Sequence, residues 1–231
     1  MDYVIETNGL GKRYGRRWAL AGCTLTVPAG QVIGLVGPNG AGKTTLLELA
    51  AGLRRPTAGT IMVCGRVGFV AQDAPVYPGL SVATHLRMGQ ALNDRWDAAL
   101  ARRHVLDAGL DPRQRAGRLS GGQRAQLALA LAIAKRPGLL ILDEPVANLD
   151  PLARRQFLDS VARAVAASGD GVTAIFSSHL VADVERTCGY LILLAASQLR
   201  LAGPVDALLA RSPHGTSLDD LVVSCLREAA R

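Results

Sequence analysis

The chain has 231 residues, of which 49% are hydrophobic, enough to bury the core of one large domain or of a domain with a subdomain. Its apolar runs are far shorter than the ~20 residues that span a bilayer, which excludes an integral membrane protein. Its four cysteines show no metal-ligand spacing, which excludes a zinc or disulfide module. The start of the chain has neither the basic residues nor the apolar run of a signal peptide, so we expect a cytosolic protein.

Predicted strands and helices alternate along most of the chain. Short apolar runs bounded by Gly, Pro or polar residues predict strands at Val32 to Val36, Val67 to Val70, Leu139 to Leu142, Val172 to Phe176 and Leu191 to Leu194. Helical patterns cover Thr44 to Leu53, Val82 to Leu92, Arg95 to Ala108, Gly121 to Lys135, Leu152 to Ala167 and Val181 to Arg186. The alternation predicts an α/β fold with a mainly parallel sheet.

Three regions depart from this alternation. Val4 to Val27 and Gly59 to Cys64 resemble short antiparallel strands, which predicts an N-terminal antiparallel β subdomain. Residues 75–136 are helical and framed by prolines, which predicts an inserted α-helical subdomain. We therefore divide the chain into a core with its β subdomain (1–74 and 137–203), the helical subdomain (75–136) and a C-terminal helical appendage (204–231).

The excess positive charge is concentrated in one segment. The formal net charge is +7, and residues 95–136 hold nine Arg and Lys against three Asp. Such a segment can contact nucleic acid, anionic lipid or an acidic protein. A solvated face in an arginine-rich chain is the interpretation we favour slightly, and part of the segment facing a membrane partner is a further hypothesis.

A phosphate-binding motif lies between a predicted strand and a predicted helix. Gly37 to Thr44 read GPNGAGKT and match G-x-x-x-x-G-K-[ST] in the context that this motif requires. Its glycines let backbone N–H groups point at phosphate oxygens, and the helix adds its positive end. Lys43 is expected to reach the β and γ phosphates, and the Thr44 hydroxyl to bind Mg²⁺. The sequence therefore predicts a P-loop NTPase core that binds ATP with Mg²⁺.

An acidic pair follows a predicted strand of four aliphatic residues. Leu139 to Leu142 deliver Asp143 and Glu144 at the carboxyl end of the strand, where ligands bind in open α/β sheets. We expect Asp143 to hold Mg²⁺ and Glu144 to polarise the attacking water.

The segment Leu119 to Gln123, LSGGQ, lies between these two motifs. Ser120 can cap the helix that follows, while Gly121 and Gly122 leave its backbone N–H groups open to an anion. Together with the P-loop and the acidic pair, this segment resembles the ATP-binding subunits of ABC transporters from about Met1 to about Gly203. The resemblance implies that the anion belongs to ATP held by a second subunit, packed head to tail.

The same resemblance implies roles for further residues. Tyr14 is expected to stack on adenine, Gln72 to contact Mg²⁺ or the attacking water, and His179 to contact the γ phosphate. Asp150 falls in the loop that crosses to the partner subunit. The implied catalytic residues are Lys43, Gln72, Glu144 and His179, and the metal residues are Thr44, Gln72 and Asp143. The implied nucleotide contacts are Tyr14, Gly37, Pro38, Asn39, Gly40, Ala41, Gly42, Lys43, Thr44, Thr45, Ser120, Gly121, Gly122, Gln123 and Asp150.

The resemblance also implies partners and a direction of transport. It predicts an ATP-hydrolysing homodimer, peripheral on the cytoplasmic face of the cell membrane through a separate permease. The segments DPLARRQFL, SSHL and VERTC, with Gly203, resemble drug and antibiotic exporters more than importers.

Three other functions stay open as alternatives: an importer ATPase, a soluble ABC-type ATPase in nucleic-acid or assembly processes, and a module that holds nucleotide without cleaving it. A nucleic-acid partner is not expected, because the core has neither the long coiled-coil insertion of repair members nor the duplication of translation members.

A few positions depart from the family pattern. Gln126 and Leu131 stand where many members carry arginine, Ala147 stands where Ser or Asn is usual, and Gly189 replaces a common carboxylate. None of these changes removes an expected catalytic group, but they bear on turnover and on coupling between the two sites.

Overall fold

The structure, a computed structural model, describes residues 3–167, 171–212 and 216–229. Its strands are β1 (Tyr3–Tyr14), β2 (Arg17–Pro28), β3 (Val32–Val36), β4 (Ala58–Val63), β5 (Val67–Val70), β6 (Leu139–Leu142), β7 (Thr173–Ser178), β8 (Tyr190–Ala195) and β9 (Gln198–Pro204). Its α-helices are α1 (Lys43–Ala50), α2 (Val82–Leu92), α3 (Ala98–Asp107), α4 (Gly121–Ile133), α5 (Pro151–Ala166), α6 (Val181–Thr187), α7 (Val205–Ala210) and α8 (Leu218–Ala229).

The larger sheet has six strands in the order β5-β6-β7-β3-β8-β9. The first five run parallel, and β9 pairs antiparallel with β8 at the edge. Strands β3, β6 and β7 are buried along their whole length, as expected for parallel strands covered on both faces. Their carboxyl ends meet at one edge, which is where the site lies.

The smaller sheet is the predicted antiparallel unit. Strand β1 pairs with β2 on one side and with β4 on the other, giving the order β2-β1-β4. Its buried residues, among them Leu10 and Leu20, pack with helix α1 and with Ile33 and Leu35 of the larger sheet. The smaller sheet therefore covers one face of the larger one.

Helices cover the other face of the larger sheet. Because side chains alternate along a strand, Leu140, Leu142 and Phe176 point to this face and pack with helices α4, α5, α6 and α8. On another side of helix α4, Leu127 and Ala130 pack in a separate hydrophobic cluster with α2 and α3. Helix α4 thus belongs to both the sheet core and the helical segment, and the domain boundaries given above stay a prediction.

Most predicted elements are confirmed, with shifts at their ends. Helix α3 begins at Ala98, not at Arg95, because the Asp97 side chain accepts a hydrogen bond from the Leu100 N–H and caps it. Strand β9 was not predicted as a strand, since it alternates exposed and partly buried residues at a sheet edge. Among the described residues, no helix is both long and apolar enough to cross a bilayer.

Candidate functional site

The P-loop connects strand β3 to helix α1. Gly42 adopts φ 104° at the N-terminus of α1, a conformation that favours glycine, and a Cβ there would overlap the carbonyl oxygen of Ala19. A Cβ on Gly37 would overlap the carbonyl of Leu194. Among the described residues no side chain caps α1, and its first turn has no acidic residue. Its first N–H groups are therefore open to an anion.

Lys43 is buried at the base of this loop. Its side chain is 5% exposed, and Nζ lies 3.4 Å from Oε1 of Glu144. Nζ also donates hydrogen bonds to the carbonyl oxygens of Gly37 (2.7 Å) and Pro38 (3.3 Å). The cation is thus held by two carbonyls and one carboxylate, which phosphate oxygens can replace.

Asp143 and Glu144 follow strand β6, and Ser177 of the neighbouring strand β7 joins them. The Ser177 hydroxyl donates to Oδ1 of Asp143 at 2.7 Å and accepts from the Glu144 N–H at 2.7 Å. Glu144 has φ 42°, a left-handed conformation uncommon for residues other than glycine. The turn buries Asp143, which is 2% exposed, and directs Glu144 toward Lys43.

His179 completes this group at the end of strand β7. Its Nδ1 lies 4.0 Å from Oε2 of Glu144. We call Lys43, Asp143, Glu144, Ser177 and His179 the nucleotide cluster. Ser177 was missed at the sequence level, although a polar pair ending an apolar strand was a visible signal.

A cleft of about 340 Å³ opens beside the nucleotide cluster. It is lined by Ala19, Asn39, Gly40, Gly42, Lys43, Thr44, Thr45, Gln72 and Glu144. Gln72, which is distant in sequence and exposed, therefore lies beside the P-loop in this cleft. Pro38 and Ala41 belong to the same loop but are not among the lining residues.

Tyr14 lies at the end of strand β1, outside the lining of that cleft. It is 45% exposed, and the ammonium of Lys12 lies 5.5 Å from its ring centroid. The ring is available for stacking, and its role toward adenine stays a prediction.

Two oxygen groups of the site are suited to Mg²⁺. The Asp143 carboxylate and the Thr44 hydroxyl are hard oxygen donors, and Thr44 is exposed to the cleft. Among the described residues, no group of three or more His, Cys, Asp or Glu could hold a metal ion. This sparse set fits Mg²⁺, which usually takes one or two carboxylates together with substrate phosphates and water.

Ser120 to Gln123, which we call the signature turn, begin helix α4. The Ser120 hydroxyl accepts from the Gln123 N–H (3.2 Å), and the Gln123 side chain accepts from the Ser120 N–H (3.0 Å). This capping box confirms that Ser120 caps the helix. The turn lines a second cleft, separate from that of the P-loop.

The signature turn packs against the start of helix α5. A Cβ on Gly122 would come within 2.8 Å of the Ala153 Cβ, whereas one on Gly121 would meet Leu149 at 3.4 Å. Asp150 caps α5 by accepting from the N–H groups of Leu152 and Ala153, both at 3.0 Å. Gly122 and Asp150 thus each have a structural role within this chain: Gly122 allows helices α4 and α5 to approach closely, and Asp150 caps α5.

The chain is similar in sequence to known proteins. The family model described as ABC transporter matches residues 20–147. An Fe(3+) ion import ATP-binding protein of Rhodococcus jostii is 34% identical over 221 residues, which cover 88% of this chain and 63% of that protein. This chain therefore spans less than two thirds of the length of that relative.

Two further proteins show the same likeness. A Nod factor export ATP-binding protein of Cupriavidus metallidurans is 35% identical, over 90% of this chain and 74% of that protein. The solved structure of an ATP-binding subunit of an ABC transporter matches with a TM-score of 0.82 and 25% identity, over 96% of this chain and 99% of that chain.

Proposed function

Because the chain belongs to the ABC transporter family, we propose that it is the ATP-binding and ATP-hydrolysing subunit of a membrane transporter. One observation carries the proposal. The nucleotide cluster brings together a lysine, two carboxylates, a hydroxyl and a histidine at the carboxyl ends of three adjacent parallel strands, and Lys43 and Glu144 of the cluster line one cleft. That set is what phosphoryl transfer to water requires.

Nucleotide binding is assigned to the P-loop and to residues close to it. The N–H groups at the start of helix α1 take the phosphates, and Lys43 exchanges its carbonyl partners for phosphate oxygens. Asp143, oriented by Ser177, and Thr44 would hold Mg²⁺, which would supply charge neutralisation to the phosphates when bound. Tyr14 offers its exposed ring to the adenine.

Hydrolysis is assigned to Glu144 with two neighbours. Glu144 accepts a proton from, or orients, the attacking water, and His179 and Gln72 position the water and the terminal phosphate. The left-handed turn at Glu144 and its N–H bond to Ser177 fix where the carboxylate stands. Preorganisation of this kind lowers the cost of reaching the transition state.

The second cleft supports a head-to-tail pair of ATP-binding subunits. The signature turn presents backbone N–H groups and a helix N-terminus, which attract an anion, yet it does not line the P-loop cleft of its own chain. In the pair, each signature turn closes over ATP held by the partner. All the required groups are present in one chain, so we propose a homodimer.

The pair is proposed to drive a separate permease from the cytoplasmic face of the membrane, in the direction of export. Support for export comes from the segments DPLARRQFL, SSHL and VERTC, with Gly203, and the relatives include both import and export proteins. Uptake into inside-out vesicles that contain the chain and its permease supports export. Loss of preloaded substrate from the same vesicles indicates import instead.

The decisive experiment is Glu144→Gln in the purified chain. We expect hydrolysis to fall about 10²- to 10⁴-fold, the usual contribution of a general base, while ATP still binds and a dimer accumulates with Mg²⁺. Steady-state phosphate release and light scattering measure the two effects. Glu185→Gln, an exposed carboxylate on helix α6, is the matched control and should change neither.

The same experiment can overturn the proposal. Normal turnover in the Glu144→Gln chain contradicts the role of Glu144. Absence of hydrolysis in the unchanged chain assembled with its permease indicates a module that only holds nucleotide.

A further inference from the structure

A partly buried chain of hydrogen bonds crosses from helix α3 through helix α4 to helix α5. His104 of α3 donates from Nε2 to the Oε1 of Gln126 at 2.9 Å, and the Gln126 Nε2 donates to the Ser160 hydroxyl at 3.2 Å. The Ser160 hydroxyl donates to the carbonyl of Gln156 (2.9 Å) and accepts from Nη2 of Arg163 (2.9 Å). Gln126 and Ser160 are each 8% exposed.

Gln126 is the centre of this chain of bonds. As an amide it can accept from one neighbour and donate to the other at the same time, and both functions are in use. The amide oxygen has no hydrogen to give, so the hydrogen in the first bond sits on Nε2 of His104. Burial makes an unmade bond here expensive, so the three helices are held in one arrangement.

A second contact lies nearer the ends of the same two helices. Gly122 of helix α4 lies so close to Ala153 of helix α5 that a Cβ on Gly122 would come within 2.8 Å of the Ala153 Cβ. Gly122 and Gln126 are four residues apart and so lie on the same face of α4. Both face α5, and both line the cleft that also contains Ser120 and Gln123.

We infer that Gln126 is a positioning residue that fixes the signature turn relative to Asp150 and helix α5. Helix α4 begins at the signature turn and helix α5 is capped by Asp150. The bond between Gln126 and Ser160, which lies further along α5, fixes the two helices to each other, and the contact between Gly122 and Ala153 joins their starts into one surface. That surface is the one that receives the partner's ATP, and in this respect the inference rests on the proposed function.

The inference makes a separable prediction about two steps. ATP binding to the P-loop of a single chain does not involve Gln126, because Gln126 lines the cleft of the signature turn and not that of the P-loop. Closure of the signature turn over the partner's ATP does involve it, since the backbone donors must stand at the correct distance from the phosphate. Loss of Gln126 should therefore weaken pairing and leave nucleotide affinity unchanged.

The test uses the full chain with Glu144→Gln as background. Adding Gln126→Leu should weaken ATP-dependent dimerisation about tenfold, the size of coupling common within one hydrogen-bond network, as measured by analytical ultracentrifugation at saturating ATP and Mg²⁺. Binding of a fluorescent ATP analogue at low protein concentration should not change. Gln90→Leu, an exposed glutamine on helix α2, is the matched control.

A second variant guards against a folding defect. Ser160→Ala should weaken dimerisation in the same direction, and Gln126→Leu with Ser160→Ala should be no weaker than Gln126→Leu alone, because one bond is being removed twice. Additive effects, or dimerisation of Gln126→Leu equal to the background, overturn the inference. A background that stays monomeric contradicts the head-to-tail pairing itself, which is a distinct result.

Discussion

The nucleotide cluster and the signature turn both lie where a strand ends or a helix begins, but their polar groups are satisfied in different ways. In the cluster, Lys43 and Glu144 are partners of each other, and a phosphate can take the place of Glu144 beside the Lys43 ammonium. In the signature turn, the Ser120 and Gln123 side chains accept hydrogen bonds in a capping box, so the donors left for a ligand are neutral: backbone N–H groups, the Ser120 O–H and the Gln123 amide hydrogens. The first region offers a phosphate a charged side chain, and the second offers it neutral donors that the start of helix α4 holds in position.

Lys43→Ala tests the side-chain half of this comparison and should have a larger effect than any change in the signature turn or helix α5. Its ammonium is the buried cation among the groups lining the P-loop cleft, so hydrolysis should fall about 10²- to 10³-fold, as when one preorganised transition-state donor is removed. Steady-state phosphate release measures this. Lys135→Ala, just beyond the end of helix α4, is the control and should retain full activity. Equal losses of activity in the two variants would contradict the comparison.

Gly122→Ala and Gly121→Ala test the geometric half as a matched pair. The added methyl of the first meets Ala153 at 2.8 Å, and that of the second meets Leu149 at an ordinary 3.4 Å. Overpacking costs about 1–3 kcal/mol, so Gly122→Ala should be the less stable of the two by that order in urea unfolding. Equal stabilities would show that helices α4 and α5 separate easily.

Asp150→Ala should have a smaller effect, a loss of stability of the single chain. Removing an N-cap acceptor costs ~1 kcal/mol, which corresponds to a fall in Tm of about 2–4 °C for a chain of this size. Differential scanning calorimetry measures the shift, and Asp159→Ala, an exposed carboxylate in the middle of helix α5, provides the control. A shift in nucleotide affinity on Asp150→Ala would go against the separation of the two clefts.

The smallest effect concerns pH and His104. Burial lowers the pKa of His104 below its ordinary value of 6.5, against an opposing hydrogen bond to Gln126. The unfolded chain therefore takes up this proton first as the pH falls, and stability that is present above about pH 6.5 is lost progressively below it. Urea unfolding between pH 5 and pH 7 should show this slope, and His104→Phe should reduce it. An unchanged slope would assign the pH dependence to other groups.

The strands of the larger sheet could be predicted because burial on both faces leaves an unbroken apolar run. Strands β3, β5 and β6 have the predicted bounds, and helix α2 does too. Strand β9 was not predicted, because an edge strand in contact with solvent keeps polar residues such as Gln198 and Arg200. Periodicity reports burial, so an element buried on only one side gives a weaker signal.

The site was predictable where a local pattern specifies the chemistry, and not where contacts join distant segments. The P-loop and the acidic pair are contiguous motifs, whereas Ser177 reaches Asp143 across two strands that are far apart in the chain. The same holds for Gln126, which is noticeable in the sequence only as a departure from arginine. Its bonds to His104 and Ser160 depend on the packing of three helices.

The separation of the two clefts on one chain has a genetic consequence. In the proposed homodimer, each active site takes its P-loop from one copy and its signature turn from the other. A copy defective at Lys43 and a copy defective at the signature turn, expressed together, form mixed dimers in which both lesions fall on the same site. The opposite site is then assembled from two undamaged halves, so two inactive alleles can complement each other.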